Sequence, residues 1–191
     1  MAVIGASEMK NSFPNPVSAV VVNYNAGDFL RECLQSALEQ VAEVIVVDNA
    51  SEDGSIDNIQ SEFSSESRIK IIRNSKNLGF SAACNIGLRH AQAEHILFLN
   101  PDCRLSFGAV TRLLRVLQSD PSVGIVGGLL VNPDGSEQAG GRRAIPTPWR
   151  SFVAAFGLTR FARRWPQRFE DFNLHRQPLP AGPLEVEAVS G

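Results

Sequence analysis

Short apolar runs alternate with longer amphipathic stretches along the first two thirds of the chain. Residues 17–22 form a mostly β-branched apolar run, which is typical of a strand buried on both faces of a sheet. Residues 28–38 follow, and their apolar side chains recur at helical spacing behind Asp28, a residue suited to cap a helix. The pattern therefore predicts a strand followed by a helix.

The same pairing of strand and helix recurs three more times. The predicted strands are residues 44–47, 69–72 and 96–99, and the predicted helices are residues 56–63, 81–91 and 107–118. Strands that alternate with helices are joined by right-handed crossovers and form a mainly parallel sheet. The predicted fold class is therefore α/β, with a mainly parallel central sheet.

The pattern changes after the fourth helix. Residues 123–131 are predicted to form a strand, and the motif Asn-Pro-Asp-Gly at residues 132–135 is a strong turn signal, so we predict a β-hairpin after the fourth βα unit. Residues 184–189 alternate like a half-buried strand and are followed by Ser-Gly at residues 190–191. A domain rarely stops just as a strand reaches a turn. We therefore expect the chain to be the N-terminal part of a longer protein.

Composition narrows the class of protein. The 191 residues are 43% hydrophobic and 20% charged, which suits one substantial core. Eighteen basic and twenty acidic side chains give a net charge of -2, without the basic excess of a nucleic-acid binder, so no nucleic-acid partner is predicted. The longest apolar runs are strand-sized, whereas a membrane span needs about 20 apolar residues. Three cysteines without a C-x-x-C spacing, and no secretory signal, favour a cytoplasmic protein.

The last part of the chain differs in composition from the rest. Residues 141–191 hold 8 arginines against 4 acidic side chains, with Phe and Trp residues among the arginines. One interpretation is peripheral contact with the inner face of a membrane through residues 150–176. The other is that the rings cover the sheet or another part of the protein, and the arginines form a solvated edge. Both interpretations stay open.

Polar side chains follow each of the four predicted strands. They are Asn23, Tyr24 and Asn25 after the first, Asp48, Asn49, Ser51 and Asp53 after the second, Asn74 and Asn77 after the third, and Asn100 and Asp102 after the fourth. Ligands of open parallel sheets bind beyond the carboxyl ends of the strands, where loops and helix N-termini converge. Any one loop alone is explained equally well by helix caps and turns. Together they predict a polar, partly anionic crevice for a ligand with hydroxyls and a diphosphate.

The familiar phosphate-binding loops are absent from the sequence. Neither G-x-G-x-x-G nor G-x-x-x-x-G-K-[ST] occurs, which argues against a dinucleotide-dependent oxidoreductase and a P-loop NTPase. A carboxylate at a strand end offers another route, because Mg²⁺ or Mn²⁺ bound to it can bridge to phosphate oxygens. Asp102 is the candidate metal ligand, since Pro101 stiffens the turn that presents it. The alternative is that Asp102 only caps the next helix.

These loops resemble, in order and spacing, the nucleotide-sugar-binding half of the family 2 inverting glycosyltransferases, which share the GT-A fold. The matching segments are residues 20–25, 46–55 and 77–87. The resemblance implies a Rossmann-like GT-A three-layer sandwich. It also implies a nucleoside-diphosphate sugar as donor and a saccharide or lipid-linked acceptor.

The resemblance further implies a set of substrate-binding residues. Asp48 would accept hydrogen bonds from the nucleoside, Tyr24 or its neighbours would lie against the base, and Asn85 would face the site. The complete set is Asn23, Tyr24, Asn25, Asp48, Asn49, Ser51, Asn77, Gly79, Phe80, Asn85, Asn100 and Asp102, with Asp102 as the ligand of Mg²⁺ or Mn²⁺. The expected organisation is a flexible leader at residues 1–16, a nucleotide-sugar-binding α/β domain at residues 17–139, and an Arg/aromatic-rich segment at residues 140–191 leading into a truncated acceptor-side region.

Two features depart from the family pattern. Many members carry Asp-x-Asp after the fourth strand, whereas this chain has Asn100-Pro101-Asp102, so weaker or conditional metal binding is expected. That form is similar to the rhamnosyltransferase-like subgroup, which builds bacterial surface polysaccharide. The family's general base lies beyond a Ser-Gly turn like that at residues 190–191, so the catalytic base is unknown here and expected beyond Gly191. We expect donor binding with little or no sugar transfer.

Two other functions stay open. A sugar-phosphate nucleotidyltransferase uses a related sheet but needs a Gly-rich, basic loop after the first strand, where this chain has Asn-Tyr-Asn-Ala-Gly at residues 23–27. That difference counts against it. A non-catalytic module that binds a nucleotide or a sugar agrees with the missing base.

Overall fold

The computed structural model of the protein describes residues 15–138, 142–143, 145, 147–161, 164–165, 169, 182–186 and 188–189. The strands are β1 (Asn15–Asn23), β2 (Val41–Asp48), β3 (Ile69–Arg73), β4 (His95–Leu99), β5 (Arg142–Arg143) and β6 (Ala188–Val189), and the α-helices are α1 (Asp28–Leu38), α2 (Ser55–Glu62), α3 (Phe80–His90), α4 (Ala109–Ser119) and α5 (Pro148–Ala155). The chain divides into two compact units, Met1–Arg112 and Leu113–Gly191. The four predicted strand and helix pairs are all present.

Strands β1 to β4 form one parallel sheet in the order β3-β2-β1-β4. Asn23 of β1 pairs with Asp48 of β2, and Val21 pairs with Leu99 of β4, so the carboxyl ends of these strands lie at one edge. The chain moves outward from β1 through β2 to β3 and then returns to the other side of β1. The predicted α/β fold with a mainly parallel sheet is confirmed, and its connections reverse direction between β1 and β4.

Helices cover both faces of this sheet. One face carries α3, whose buried Ala83 packs in a cluster with Val20, Val22, Ile45 and Val47. Right-handed crossovers place α1 and α2 on the other face. The side chains that alternate with the first set are also fully buried: Ala19, Val21, Val44 and Val46. The near-continuous apolar runs of β1 and β2 therefore follow from burial on both sides of the sheet.

A glycine lets α3 approach β1 closely. A Cβ atom added at Gly87 would lie 2.3 Å from Cγ1 of Val20, closer than two carbon atoms can approach. Glycine inside a helix costs about 1 kcal/mol relative to alanine. The close contact between helix and strand explains why a glycine stands here.

A buried carboxylate ties the amino-terminal edge of the sheet together. Oε1 of Glu43 accepts hydrogen bonds from Oγ of Ser18 and from the backbone N of Gln92, both at 2.6 Å, and Oε2 pairs with Nζ of Lys70 at 2.8 Å. The hydroxyl of Ser18 in turn accepts from the backbone N of Ala93 at 2.9 Å. Burial raises the pKa of Glu43, but the hydrogen bonds from Lys70, Ser18 and Gln92 outweigh it, so this pKa lies below its usual value. The carboxylate thus joins three strands and the connection between α3 and β4.

The hairpin predicted after the fourth βα unit is smaller than expected. Residues 123–130 carry no regular secondary structure, so the predicted strand at residues 123–131 is wrong. Val131 forms one antiparallel bridge with Glu137, and the turn between them is closed by a hydrogen bond from the N of Asn132 to the O of Ser136 at 2.8 Å. Glycines at 124, 127 and 128 interrupt the apolar run, and glycine weakens a strand because it has no side chain to pack.

Other predicted boundaries also shift. Asn15 and Pro16 belong to β1, so the predicted leader at residues 1–16 cannot include them, and residues 1–14 lie outside the described residues. In the strand predicted at residues 184–189, residues 184–186 are irregular, and Ala188–Val189 pairs antiparallel with Arg142–Arg143. Residues 170–176 of the segment expected to contact a membrane, and residues 190–191, lie outside the described part. Within that part, none of the helices has the length and apolar character needed to span a bilayer.

Replacing Glu43 by glutamine is expected to lower the free energy of unfolding at neutral pH by about 2 kcal/mol, because charge-assisted hydrogen bonds in a buried site are lost. The folded-state pKa of Glu43 lies below its unfolded value. Its contribution is therefore present above a pH of about 4.5 and is lost as the pH falls through the folded-state pKa. Urea unfolding from neutral pH down to about pH 3 measures both effects.

The exposed carboxylate of Glu39 provides the matched control. Glu39→Gln should keep the pH dependence of the wild-type chain, whereas Glu43→Gln should flatten it. Equal unfolding free energies for the wild-type chain and Glu43→Gln at neutral pH would contradict the role given to this network.

Candidate functional site

The ends of β1, β2 and β4 meet at the carboxyl edge of the sheet. Asn23 ends β1 beside Asp48, the last residue of β2, and Asn100 directly follows β4 on the other side of β1. The direction of the connections reverses between β1 and β4. Such a reversal opens a crevice, because the loops on its two sides run away from each other.

A hollow of about 830 Å³ lies at this place. It is lined by residues 24–29, Glu32, Asp53 and residues 100–102. A second hollow, of about 520 Å³, lies between α2 and β3 and includes Glu66, which is already paired with Arg68 at 2.6 Å. The hollow at the sheet reversal is therefore the candidate site, since its polar groups come from several loops that converge there.

The lining of the candidate site is acidic. It contains four carboxylates, those of Asp28, Glu32, Asp53 and Asp102, and it has no lysine, arginine or histidine among the described residues. Opposite charges attract and like charges repel strongly where water is partly excluded. An anionic ligand therefore requires a cation to enter this hollow, whereas neutral hydroxyl groups find many hydrogen-bond acceptors.

Behind the hollow, a buried polar network joins β1 to β2. Nδ2 of Asn23 donates to Oδ1 of Asp48 at 2.9 Å, to Oγ of Ser51 at 2.9 Å and to Oγ of Ser55 at 3.0 Å. Asp48 also accepts from Ser51, at 2.5 Å from the hydroxyl and 3.1 Å from the backbone N. Asn23 is fully buried and Asp48 is 4% exposed. These side chains hold the loop after β2 in place.

The orientation of the Asn23 amide follows from its neighbours. Its Oδ1 is buried and has no hydrogen-bond partner among the described residues. A flipped amide would turn this oxygen toward the carboxylate of Asp48, so the donors must face Asp48. Leaving one carbonyl oxygen unpaired costs about 1 to 3 kcal/mol, and the hydrogen bonds of the NH₂ group offset this cost.

A second set of hydrogen bonds fixes the start of α1. Asp53 accepts from the backbone N of Gly27 at 2.7 Å and from the backbone N and Oγ of Ser55 at 3.0 and 2.6 Å. Burial raises the pKa of Asp53, but these hydrogen bonds outweigh it, so its pKa lies below its usual value. Asn25, at a φ of 53°, donates its backbone N to Oγ of Ser51 at 3.0 Å. The loop after β1 is therefore pinned to the loop after β2.

One thiol and one backbone amide support the turn that presents Asp102. The carbonyl oxygen of Asn100 accepts from Sγ of Cys33 at 3.4 Å and from the backbone N of Cys103 at 3.1 Å. Burial raises the pKa of Cys33 to about 12, and the nearby Cys103 and Asp102 add to this rise. Cys33 therefore stays protonated at neutral pH, and its neutral thiol supports the turn without adding charge beside the carboxylate.

Comparison with known proteins identifies the family. The family model described as Glycosyl transferase family 2 matches residues 18–176. The chain belongs to glycosyltransferase family 2. It is similar to the glycosyltransferase GlyG of Streptococcus pneumoniae, with 26% identity over 114 residues, which cover 58% of this chain and 38% of that protein. It is also similar to the low-salt glycan biosynthesis hexosyltransferase Agl10 of Haloferax volcanii, with 26% identity over 155 residues, which cover 79% of this chain and 47% of that protein.

A solved structure supports the fold of this family 2 chain. The mannosyltransferase PcManGT from Pyrobaculum calidifontis, solved in complex with GDP-Man and Mn²⁺, superposes with a TM-score of 0.55 at 24% identity, over 64% of this chain and 37% of that one. The predicted family and its GT-A fold are confirmed. The chain spans less than half the length of the curated relatives named above, 38% and 47% of them.

The predicted substrate-binding residues of this family 2 member fall into three groups. Tyr24, Asn25, Asn100 and Asp102 line the hollow. Asn23, Asp48 and Ser51 form the network behind it, so a direct contact between Asp48 and the nucleoside stays a prediction. The others, Asn49, Asn77, Gly79, Phe80 and Asn85, lie at the end of β2, in the loop after β3 and on α3, away from the hollow's lining.

The third group is organised around Asn49. This buried side chain donates to the carbonyl oxygen of Gly79 at 3.3 Å and accepts from Nδ2 of Asn74 at 2.9 Å. Oδ1 of Asn77 accepts from the backbone N of Gly79 at 2.8 Å, while Phe80 and Asn85 are exposed at the start and middle of α3. These bonds shape the loop after β3, and they leave the side chains of Phe80 and Asn85 exposed to solvent.

Sequence reasoning missed two carboxylates of the candidate site. Asp28 and Glu32 are four residues apart at the start of α1, a spacing that places both side chains on one face of a helix. Their helix begins directly after the loop that follows β1. This position in the sequence was the signal that could have identified both residues as part of the site. The sequence predicts Asp53 as one of the polar residues that follow the second strand. Only the tertiary structure shows that it lines the hollow.

Asp48→Asn is expected to lower the free energy of unfolding by about 2 kcal/mol, because an amide has only one acceptor oxygen and its NH₂ group would face the backbone N of Ser51, which donates to the second carboxylate oxygen in the wild-type chain. Asp102→Asn, which changes an exposed carboxylate in the same way, should alter it by no more than about 0.5 kcal/mol. Urea unfolding of the two variants measures the difference. Equal effects would show that Asp48 has no structural role.

Proposed function

We propose that this chain forms the donor-binding part of a glycosyltransferase that moves a sugar from a nucleoside-diphosphate sugar to a saccharide or lipid-linked acceptor, with inversion at the anomeric carbon, in the synthesis of a cell-surface polysaccharide. The observation that carries the proposal is the hollow with an acidic lining at the reversal of the sheet, in a chain that belongs to family 2. Ligands of open α/β sheets bind at such reversals.

The nucleoside would lie along the loop after β1. Tyr24 lines the hollow with a ring that is 54% exposed, so one face is available for a base to stack on. The backbone N and the side-chain oxygen of Asn25 are engaged by Ser51 and Glu52, so its NH₂ group is left to donate to the ligand. Asp48, Asn49 and Ser51, with Asn77, Gly79, Phe80 and Asn85, are proposed as the nucleoside side of the site.

A divalent cation, Mg²⁺ or Mn²⁺, fits the chemistry of this lining. Four carboxylates, with no basic residue in the described lining of the hollow, would repel a diphosphate unless a cation accompanied it. Asp102 would hold the ion, with the Asn100 oxygen beside it. The described residues contain no group of three or more His, Cys, Asp or Glu side chains arranged for a metal, so phosphate oxygens and water would complete the ligands. When bound, such an ion neutralises charge on a departing diphosphate.

The finer features of the reaction are proposals from the motifs. The Asn100-Pro101-Asp102 turn is similar to that of rhamnosyltransferase-like proteins, which supports a deoxysugar donor and a bacterial surface polysaccharide as product. Transfer would take place in the cytoplasm, at the inner face of the membrane where lipid-linked acceptors are found. No described residue is proposed as the general base. A sugar-phosphate nucleotidyltransferase is disfavoured, because the loop after β1 brings no basic side chain to the hollow.

Calorimetric titration with uridine, thymidine and guanosine diphosphates tests the cation. In the wild-type chain, Mn²⁺ should strengthen binding of the preferred nucleotide by about tenfold, since the ion bridges the diphosphate to Asp102. Asp102→Asn should abolish this gain and leave the affinity measured in a chelator unchanged. Asp120→Asn, an exposed carboxylate outside the hollow, is the matched control and should behave like the wild-type chain. Binding that is equally strong with chelator would refute the metal site.

The same titration tests the stacking role of Tyr24. Tyr24→Ala should weaken the nucleotide about tenfold in both Mn²⁺ and chelator, because a stacked ring contributes about 1 to 3 kcal/mol per base. Tyr24→Phe keeps the ring and should restore most of the affinity. If Tyr24→Ala binds as tightly as the wild-type chain, the base does not lie on this ring. Nucleotide binding without any sugar transfer, in any protein that contains this chain, would favour a non-catalytic binding module.

A further inference from the structure

Six aromatic rings form one continuous cluster in the unit Leu113–Gly191. They come from α5, from the 3-10 helix Leu158–Phe161 and from the residues that follow it: Trp149, Phe152, Phe156, Phe161, Trp165 and Phe169. Neighbouring ring centroids lie 4.5 to 6.4 Å apart, from Phe156 through Phe152 and Trp149 to Phe169, which also contacts Phe161 and Trp165. The rings are therefore one surface and not scattered side chains. We name it the aromatic–arginine surface.

This cluster is not a buried core. Five of its six rings expose between 40% and 65% of their surface, whereas Val153 of the same helix is fully buried. Val153 anchors α5, and the rings around it stay open to solvent. A contiguous apolar surface that remains exposed in a folded chain marks a place of interaction.

Two arginines lie against the rings. The guanidinium of Arg160 lies 4.9 Å from the ring centroid of Phe161, and that of Arg164 lies 5.4 Å from the ring centroid of Trp165. In the sequence, residues 144–169 contain five arginines and no aspartate, glutamate or lysine, and Glu170 and Asp171 follow directly. The chain as a whole has a net charge of -2, so this stretch of sequence is more basic than the rest.

We propose that the aromatic–arginine surface binds peripherally to a bilayer that contains anionic lipid. Tryptophan and phenylalanine side chains enter the boundary between headgroups and acyl chains, while arginines beside them meet the lipid phosphates. A polybasic segment is attracted to the anionic lipids of the cytoplasmic leaflet. The proposal is independent of nucleotide binding, since none of these residues lines the donor hollow.

The arrangement of the rings favours a membrane over a nucleic acid. Single-stranded nucleic acids bind to open ring faces on which bases stack. Here Trp149 and Phe152 stack on each other at an interplanar angle of 17°, and arginines cover Phe161 and Trp165. These contacts occupy ring faces that a base would need for stacking, and the arginines beside the rings suit lipid phosphates.

Flotation with lipid vesicles tests the proposal on the whole chain. Vesicles in which about a third of the phosphatidylcholine is replaced by phosphatidylglycerol should bind at least about tenfold more protein than phosphatidylcholine alone. Raising the salt concentration should reduce this binding, and tryptophan fluorescence should shift to shorter wavelength as the indoles leave water. Nucleotide affinity measured in parallel should not change.

Matched variants locate the surface. Arg164→Ser should weaken binding to the anionic vesicles about threefold to tenfold, whereas Arg115→Ser, which removes an exposed arginine of α4, should weaken it much less. Phe156→Ser should reduce the fluorescence shift more than it reduces the salt dependence, because it removes a ring and no charge. Circular dichroism verifies that each variant is folded.

Four results would overturn the proposal. They are no binding to either kind of vesicle, equal binding to both kinds, equal effects of Arg164→Ser and Arg115→Ser, and preferential binding of polyuridylate over vesicles. Self-association through the rings in the absence of lipid, detected by sedimentation, would also overturn it.

Discussion

The side-chain amide of Asn23 donates hydrogen bonds to three acceptors at the end of β1. The geometry of the candidate site depends on these hydrogen bonds. Asp48, Ser51 and Ser55 all receive hydrogen bonds from its Nδ2, so the end of β1, the end of β2 and the start of α2 are held together at one atom. Ser51 then reaches the backbone of Asn25, and Asp53 reaches that of Gly27. The loop that carries Tyr24 into the hollow therefore takes its shape from buried groups which do not themselves line the hollow.

The two sides of the hollow are supported in different ways. The side after β1 is held by ionised and hydroxyl groups, with Asp53 kept charged by its donors. The side after β4 rests on a neutral thiol, since burial keeps Cys33 protonated beside the Asn100 carbonyl. A thiolate in that position would add a second negative charge beside Asp102. The protein thus places its negative charge on the wall of the hollow and keeps the support beneath Asp102 neutral.

The sheet itself is apolar in the middle and polar at both ends. At the amino-terminal edge the carboxylate of Glu43 joins β1, β2, β3 and the α3–β4 connection, and at the carboxyl edge Asn23 and Asp48 pair across β1 and β2. Between these edges the side chains of both strands are buried among aliphatic neighbours. A carboxylate buried at a strand end is stable only when its oxygens accept hydrogen bonds, and both networks meet this requirement. One network stabilises the fold, and the other also shapes the site.

The sequence alone determined the order of strands and helices, the parallel sheet and the polar character of its carboxyl edge. These features follow from the spacing of apolar residues and from the apolar runs of strands buried on both faces, which are local properties of the chain. The same reasoning failed at residues 123–131, where glycines break an apolar run that, within the described residues, forms only the single bridge between Val131 and Glu137. Only the tertiary structure decided which polar residues face the hollow. Asp48 and Asp102 both follow a strand, yet Asp48 is 4% exposed within a network and Asp102 lies on the wall. The reason is that both arrangements depend on which strands become neighbours in the sheet. Strand order decides which acceptors surround Asn23, and it brings Asp28, Glu32 and Asp53 close to Asp102.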